Sequence, residues 1–89
     1  MSPVAIRDAA SEAEEWWRHA LQSDAGLGRC DMIQDIAAEV GMTLRLSPVD
    51  RSVFVGWLIL WGLLTSEEGV SVLGEAAHLA SPYDEGCEA

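Results

Sequence analysis

Four side chains of this sequence have the chemistry of soft-metal ligands: His19, Cys30, His78 and Cys87. A structural zinc site usually draws two ligands from one turn or knuckle, about two to four residues apart. No two of these four stand that close, so no metal site is expected. The wide separation of the cysteines also fits reduced thiols in a cytoplasmic protein. Acid–base or nucleophilic chemistry would need side chains converging on a pocket. Glu14-Glu15 and Glu67-Glu68 are paired carboxylates, but neighbours in sequence on a helix do not face each other. No glycine-rich loop precedes a helix as a phosphate cradle would require. The chain is therefore expected to be no enzyme and to hold no cofactor.

Binding chemistry is better represented. Fifteen acidic residues face five arginines and no lysine, giving a formal net charge of −10. Three acidic groups recur: Asp8, Glu12 and Glu15; Asp31, Asp35 and Glu39; and Glu67, Glu68 and Glu75. Carboxylates at helical spacing can serve as a solvated face, or can imitate a phosphate array and enter a basic groove. Solubility alone needs a net charge of only about 2–8 in a small domain, which tilts the balance towards a basic partner. The same charge repels nucleic-acid phosphates and anionic membranes, so neither is expected as a direct partner. Four tryptophans, Trp16, Trp17, Trp57 and Trp61, supply apolar anchors. One of Trp16 and Trp17 is expected to face inward, and Trp57 and Trp61 are the expected partner contacts.

Helices must position these groups. Ser2 and Pro3 start the first, which runs to about Gln22 with Ile6, Ala9, Ala10, Ala13, Trp16, Trp17, Ala20 and Leu21 on one apolar arc. Gly26 and Gly28 follow its end. A second helix is expected from Asp31, with Asp31 and Gln34 as a capping pair, closing at Gly41. Met42 to Leu46 alternates apolar and polar residues, as a short strand or extended link would. Ser47, Pro48 and Asp50 then start a third helix, expected over 48–63.

That third helix contains VFVGWLILWGLL, Val53 to Leu64, twelve positions with no polar side chain. A bilayer span needs about 17–25 residues, so the run is expected to be the central element of the core. Any face its neighbours leave open would be an interface, to a second copy or to a target. From Thr65 two structures compete. One is a fourth helix capped by Thr65 and Glu68; the other is a β-hairpin over 63–73 followed by a short helix. Gly69 and Gly74 each oppose the helix by about 1 kcal/mol.

With the hairpin, residues 31–80 resemble a winged helix-turn-helix domain: DMIQDIAAEVG, a helix opened by SPVDRS, a hairpin LLTSEEGVSV, and a closing LGEAAHLA. The resemblance implies DNA binding. The sequence departs from it where the groove-reading helix offers Phe54, Trp57, Ile59 and Trp61 in place of base-reading polar residues, and where the wing tip is Glu67-Glu68.

The expected architecture is a mainly α, single-domain fold of three to four helices over residues 1–82, with an acidic tail at 83–89. The expected function is that of a small acidic inhibitor or regulator seated on a basic, nucleic-acid-handling protein surface. In character it is similar to anti-CRISPR, DNA-mimic and immunity proteins of phage and host. The expected contacts are Asp8, Glu12, Glu15, Asp31, Asp35, Glu39, Glu67, Glu68, Trp57 and Trp61. Two alternatives stand beside it. One is a winged-helix transcriptional regulator using Arg29, Arg45 and Arg51; the other is a structural subunit, or a homodimer, joined through the third helix.

Overall fold

The hydroxyl of Ser2 accepts the Ala5 N–H at 3.1 Å, and from this cap the first helix, α1, runs Pro3–Gln22. The computed structural model describes residues 1–23 and 26–80. Three more helices follow: α2 at Arg29–Ala38, α3 at Pro48–Leu60 and α4 at Ser66–Ala80. The described residues form an all-α domain and contain no strand. The domain boundary expected at residue 82, the acidic tail and Cys87 lie outside them.

α2 starts two residues earlier than its capping pair suggested. Asp31 does not cap forward to Gln34; its carboxylate reaches back to accept the Gly28 N–H at 2.9 Å, which admits Arg29 and Cys30 to the first turn. Gly41 does not end the helix either. The backbone continues from α2 into a wide π-type turn over Glu39–Thr43. There Leu44 N–H reaches the Glu39 carbonyl at 2.7 Å, and Leu46 N–H the Val40 carbonyl at 3.0 Å. So the segment expected as a strand or extended link begins as a widened helix end. The cause is tertiary. The turn lies so close to α4 that a Cβ on Gly41 would sit 2.8 Å from the Ala76 carbonyl oxygen.

α3 ends at Leu60, earlier than expected, because Gly62 takes the left-handed region at φ 86°. Its N–H reaches the Ile59 carbonyl at 3.0 Å and Leu63 N–H reaches Leu58 at 2.9 Å, the two bonds of a Schellman end. The hairpin expected as one alternative over 63–73, and with it the wing of the winged-helix resemblance, does not form. Thr65 and Glu68 instead build a reciprocal capping box. Glu68 N–H bonds the Thr65 hydroxyl at 3.1 Å and Thr65 N–H bonds the Glu68 carboxylate at 2.9 Å. Gly69 is compatible with that helix for a packing reason: a Cβ there would lie 2.6 Å from Ile59 Cδ1 and 3.0 Å from Val55 Cγ1 of α3.

α1 lies mainly against α3, α2 against α4, and α3 against α4. Ile6, Met32, Ile36, Val40, Phe54, Val55, Leu58 and Val72 are the largest fully buried side chains. Each contributes about 1.5–3 kcal/mol relative to exposure. α3 is apolar all round but is not wrapped all round. Phe54, Val55 and Leu58 face the core, whereas Val49, Val53, Gly56 and Leu60 on its outer side are exposed.

Candidate functional site

Consecutive residues on a helix point about 100° apart, and Trp16 and Trp17 use that separation fully. Trp17 turns inward, is buried, and donates its indole N–H to Asp35 Oδ2 of α2 at 3.0 Å. Trp16 turns outward and is 57% exposed. The two rings meet edge to face, with centroids 4.8 Å apart and planes at 77°, a favourable quadrupole arrangement that braces the outer indole.

Trp16 forms a ridge between two grooves. One, of about 410 Å³, runs between α1 and the α2–π-turn segment and is lined by Glu12, Trp16, Trp17, Asp35, Glu39 and Leu44 among others. The other, of about 480 Å³, lies beside the last turns of α1 and is lined by Glu12, Glu15, Trp16, His19, Ser23 and Leu27. No arginine lines either groove. Four carboxylates therefore flank one exposed indole. The second groove also adjoins the C-terminal end of α1, whose unpaired carbonyls carry partial negative charge. Carboxylates beside an open aromatic face suit a guanidinium or ammonium group, which donates charge-assisted hydrogen bonds to the acids and is attracted to the ring face by a cation–π interaction.

The carboxylates expected to contact a partner divide into three groups. Glu12, Glu15, Asp35 and Glu39 meet at the Trp16 ridge. Asp8 and Glu67 are exposed, Asp8 one turn before Glu12 and Glu67 in the first turn of α4. Asp31 and Glu68 are engaged within the fold. Asp31 caps α2. Glu68 receives Arg29 Nε and Nη2, each at 2.6 Å, while a further Arg29 bond reaches the Leu63 carbonyl at 2.8 Å. This fork holds the Glu68 carboxyl down at about 2, with the Arg29 hydrogen bonds as the largest cause. Trp57 and Trp61 are half-buried and stacked on each other, centroids 5.1 Å apart. They pack against the core, whereas the exposed tryptophan is Trp16, which the contacts expected from sequence omitted. The adjacent tryptophans on an amphipathic helix were the available signal, since only one of them can face inward.

Arg18 and Arg29 are used inside the fold. Arg18 pairs with Glu14 and donates to the Trp61 carbonyl at 3.0 Å, joining α1 to the end of α3. Arg29 clasps α2 to the α3–α4 turn, whereas Arg45 and Arg51 line a separate pocket. Among the described residues no group of three or more His, Cys, Asp or Glu is placed to hold a metal ion, and no helix is long and apolar enough to cross a membrane. Compared with protein-family models, curated proteins and solved structures, the chain matches none.

Proposed function

We propose that this protein is a non-enzymatic inhibitor or regulator that binds a basic, nucleic-acid-handling protein surface, in the manner of anti-CRISPR or DNA-mimic proteins. One observation carries the reading: an exposed tryptophan ridge set among the carboxylates of Glu12, Glu15, Asp35 and Glu39, with no arginine lining either groove. The net charge of −10 steers encounter with a cationic surface and competes there with phosphates. Affinity comes from Trp16, whose exposed ring becomes covered on docking and receives an arginine or lysine side chain.

Affinity capture from a host lysate tests this, with Trp16→Ala and Glu12→Gln/Asp35→Asn chains run in parallel. The expected result is a basic protein retained by the native chain, lost with either variant, and released from its nucleic acid on binding. Equal capture by all three chains, or a captured protein that keeps its nucleic acid, would sink the reading.

The open side of α3 favours a second reading, self-association. Val49 and Leu60 are 71% and 72% exposed, and Val53, Gly56 and the half-buried Trp57 share their face. Contiguous exposed apolar surface of this kind marks an interface. Sedimentation at increasing concentration decides it: a dimer broken by Leu60→Glu supports self-association, and a monomer throughout excludes it.

A further inference from the structure

The wide turn after α2, the first turn of α3 and the last turn of α4 border an open pocket of about 620 Å³, away from the tryptophan ridge. Its walls are mixed, with Met42, Leu46 and Leu79 supplying apolar surface and Arg45 and Arg51 supplying charge. Arg51 is only 9% exposed. Its guanidinium donates from Nη1 to the Leu46 carbonyl at a long 3.4 Å, and no carboxylate among the described residues pairs with it. A guanidinium offers five N–H donors, and no buried side-chain nitrogen among the described residues lacks a partner, so the donors Arg51 does not use within the fold open outward and are free to meet an anion. Arg45 adds a second anomaly. It holds φ at 52°, a left-handed conformation that costs a residue with a side chain about 1–2 kcal/mol, at the position after a helix end where glycine is the usual occupant.

We propose that this pocket binds a small monocarboxylate with an apolar body, its oxygens held by Arg51 and Arg45 and its body lying along Met42, Leu46 and Leu79. Planar guanidinium forks match a carboxylate geometrically and charge-assisted bonds of this type are the strong ones. The volume lies in the range of ordinary small-ligand sites. The apolar part of the wall selects against a bare, strongly hydrated anion such as inorganic phosphate, which would forfeit its hydration for no apolar contact. The site is independent of the acidic grooves, and its failure would leave the proposed partner binding untouched.

Hexanoate, hexanol and inorganic phosphate are the probes, titrated into the full-length 15N-labelled protein and followed at the Gly41 amide and the arginine Nε–H signals. A D84N/E85Q/E88Q chain with an amidated C-terminus, lacking every carboxylate that follows Ala80 in sequence, is titrated alongside it to remove any competitor carried by the protein itself. Hexanoate is expected to shift these signals in at least one of the two chains with a Kd of about 1 mM or tighter. Hexanol and phosphate should bind roughly tenfold more weakly. Arg45→Gln, an exposed position that tolerates truncation, should weaken hexanoate binding roughly tenfold. Arg51→Lys, which keeps the charge but loses the fork, should weaken it as well. The proposal is overturned by hexanol or phosphate binding as tightly as hexanoate. It is equally overturned by affinity unchanged in Arg45→Gln, or by no response in either chain up to about 10 mM.

Discussion

Trp17 and Asp35 join α1 to α2 through a single 3.0 Å hydrogen bond from indole to carboxylate, in a part-buried setting. The bond has two consequences. Together with the burial of Ile6, Ala10 and Ala20 it sets the rotation of α1, so that Trp16 points outward, and it holds one Asp35 oxygen in the groove wall while Oδ1 makes no hydrogen bond to a described residue. The indole that braces the fold and the one proposed to meet a partner are thus adjacent residues, Trp17 and Trp16. Asp35→Ala removes the acceptor from a part-buried indole N–H and should lower unfolding stability by about 1 kcal/mol. Trp16→Ala alters an exposed ring and should stay within about 0.5 kcal/mol of the native chain while losing partner binding. Denaturant titration of both variants checks the pair; a Trp16→Ala chain less stable than Asp35→Ala would mean that the ridge is structural.

The Arg29–Glu68 clasp has a pH signature. Glu68 titrates at about 2 when folded, down from an ordinary value of 4.5, so its ion pair contributes stability that is fully present above about 4.5. That contribution is lost as pH falls from about 4.5 towards about 2, because the unfolded chain takes up the proton first. Protonating the other carboxylates acts in the opposite sense by relieving self-repulsion at a net charge of −10. The difference between native and Glu68→Gln chains isolates the clasp. Native stability should exceed that of Glu68→Gln near neutral pH, and the gap should narrow through this acid window. A gap independent of pH would show that the bond between them carries no net charge–charge stabilisation.

Three glycines inside helical segments should respond in a fixed order to alanine. At Gly74 a Cβ would meet nothing within 4 Å, so Gly74→Ala should stabilise by about 0.5–1 kcal/mol through helix propensity alone. At Gly69 the same gain is opposed by contact with the end of the Ile59 side chain, 2.6 Å away, which can move aside. At Gly41 the obstacle is the Ala76 backbone oxygen at 2.8 Å, which cannot move without shifting α4, and Gly41→Ala should cost about 1–3 kcal/mol. Thermal unfolding of the three variants ranks them; Gly41→Ala as stable as Gly74→Ala would refute the close approach of the wide turn to α4.

These glycines mark where sequence reasoning succeeds and where it stops. Ser2-Pro3 and Ser47-Pro48-Asp50 specify their helix starts through chemistry within four residues, and both starts lie where expected. The capping pair Thr65–Glu68 was visible too, but local terms left helix and hairpin close in energy. The balance is tipped by tertiary packing, with Gly69, Val72 and Ala76 of α4 buried against α2 and α3, while Arg29, distant in sequence, also bonds Glu68 in the capping geometry. The wide turn at Glu39–Thr43 was illegible because its cause is a neighbour, Ala76, far along the chain. The ridge was half legible. The acidic stripes of α1 and α2 were evident separately, whereas their convergence beside Trp16 depends on how the two helices pack.

Arg45 provides the sharpest trade between stability and binding. Its left-handed backbone costs about 1–2 kcal/mol, which glycine would not incur. Glycine also loosens the unfolded chain, which takes back about 0.4–1 kcal/mol. The exposed Arg45 side chain makes no ion pair with a described residue, so little else is lost on its removal. Arg45→Gly should therefore raise unfolding stability by up to about 1 kcal/mol while weakening hexanoate binding at the Arg51 pocket. Urea unfolding and the hexanoate titration measure the two effects on one sample. If the arginine is retained at that position for ligand binding, the gain in stability and the loss of affinity appear together. A variant less stable than the native chain would show that Arg45 is held there by contacts of its own.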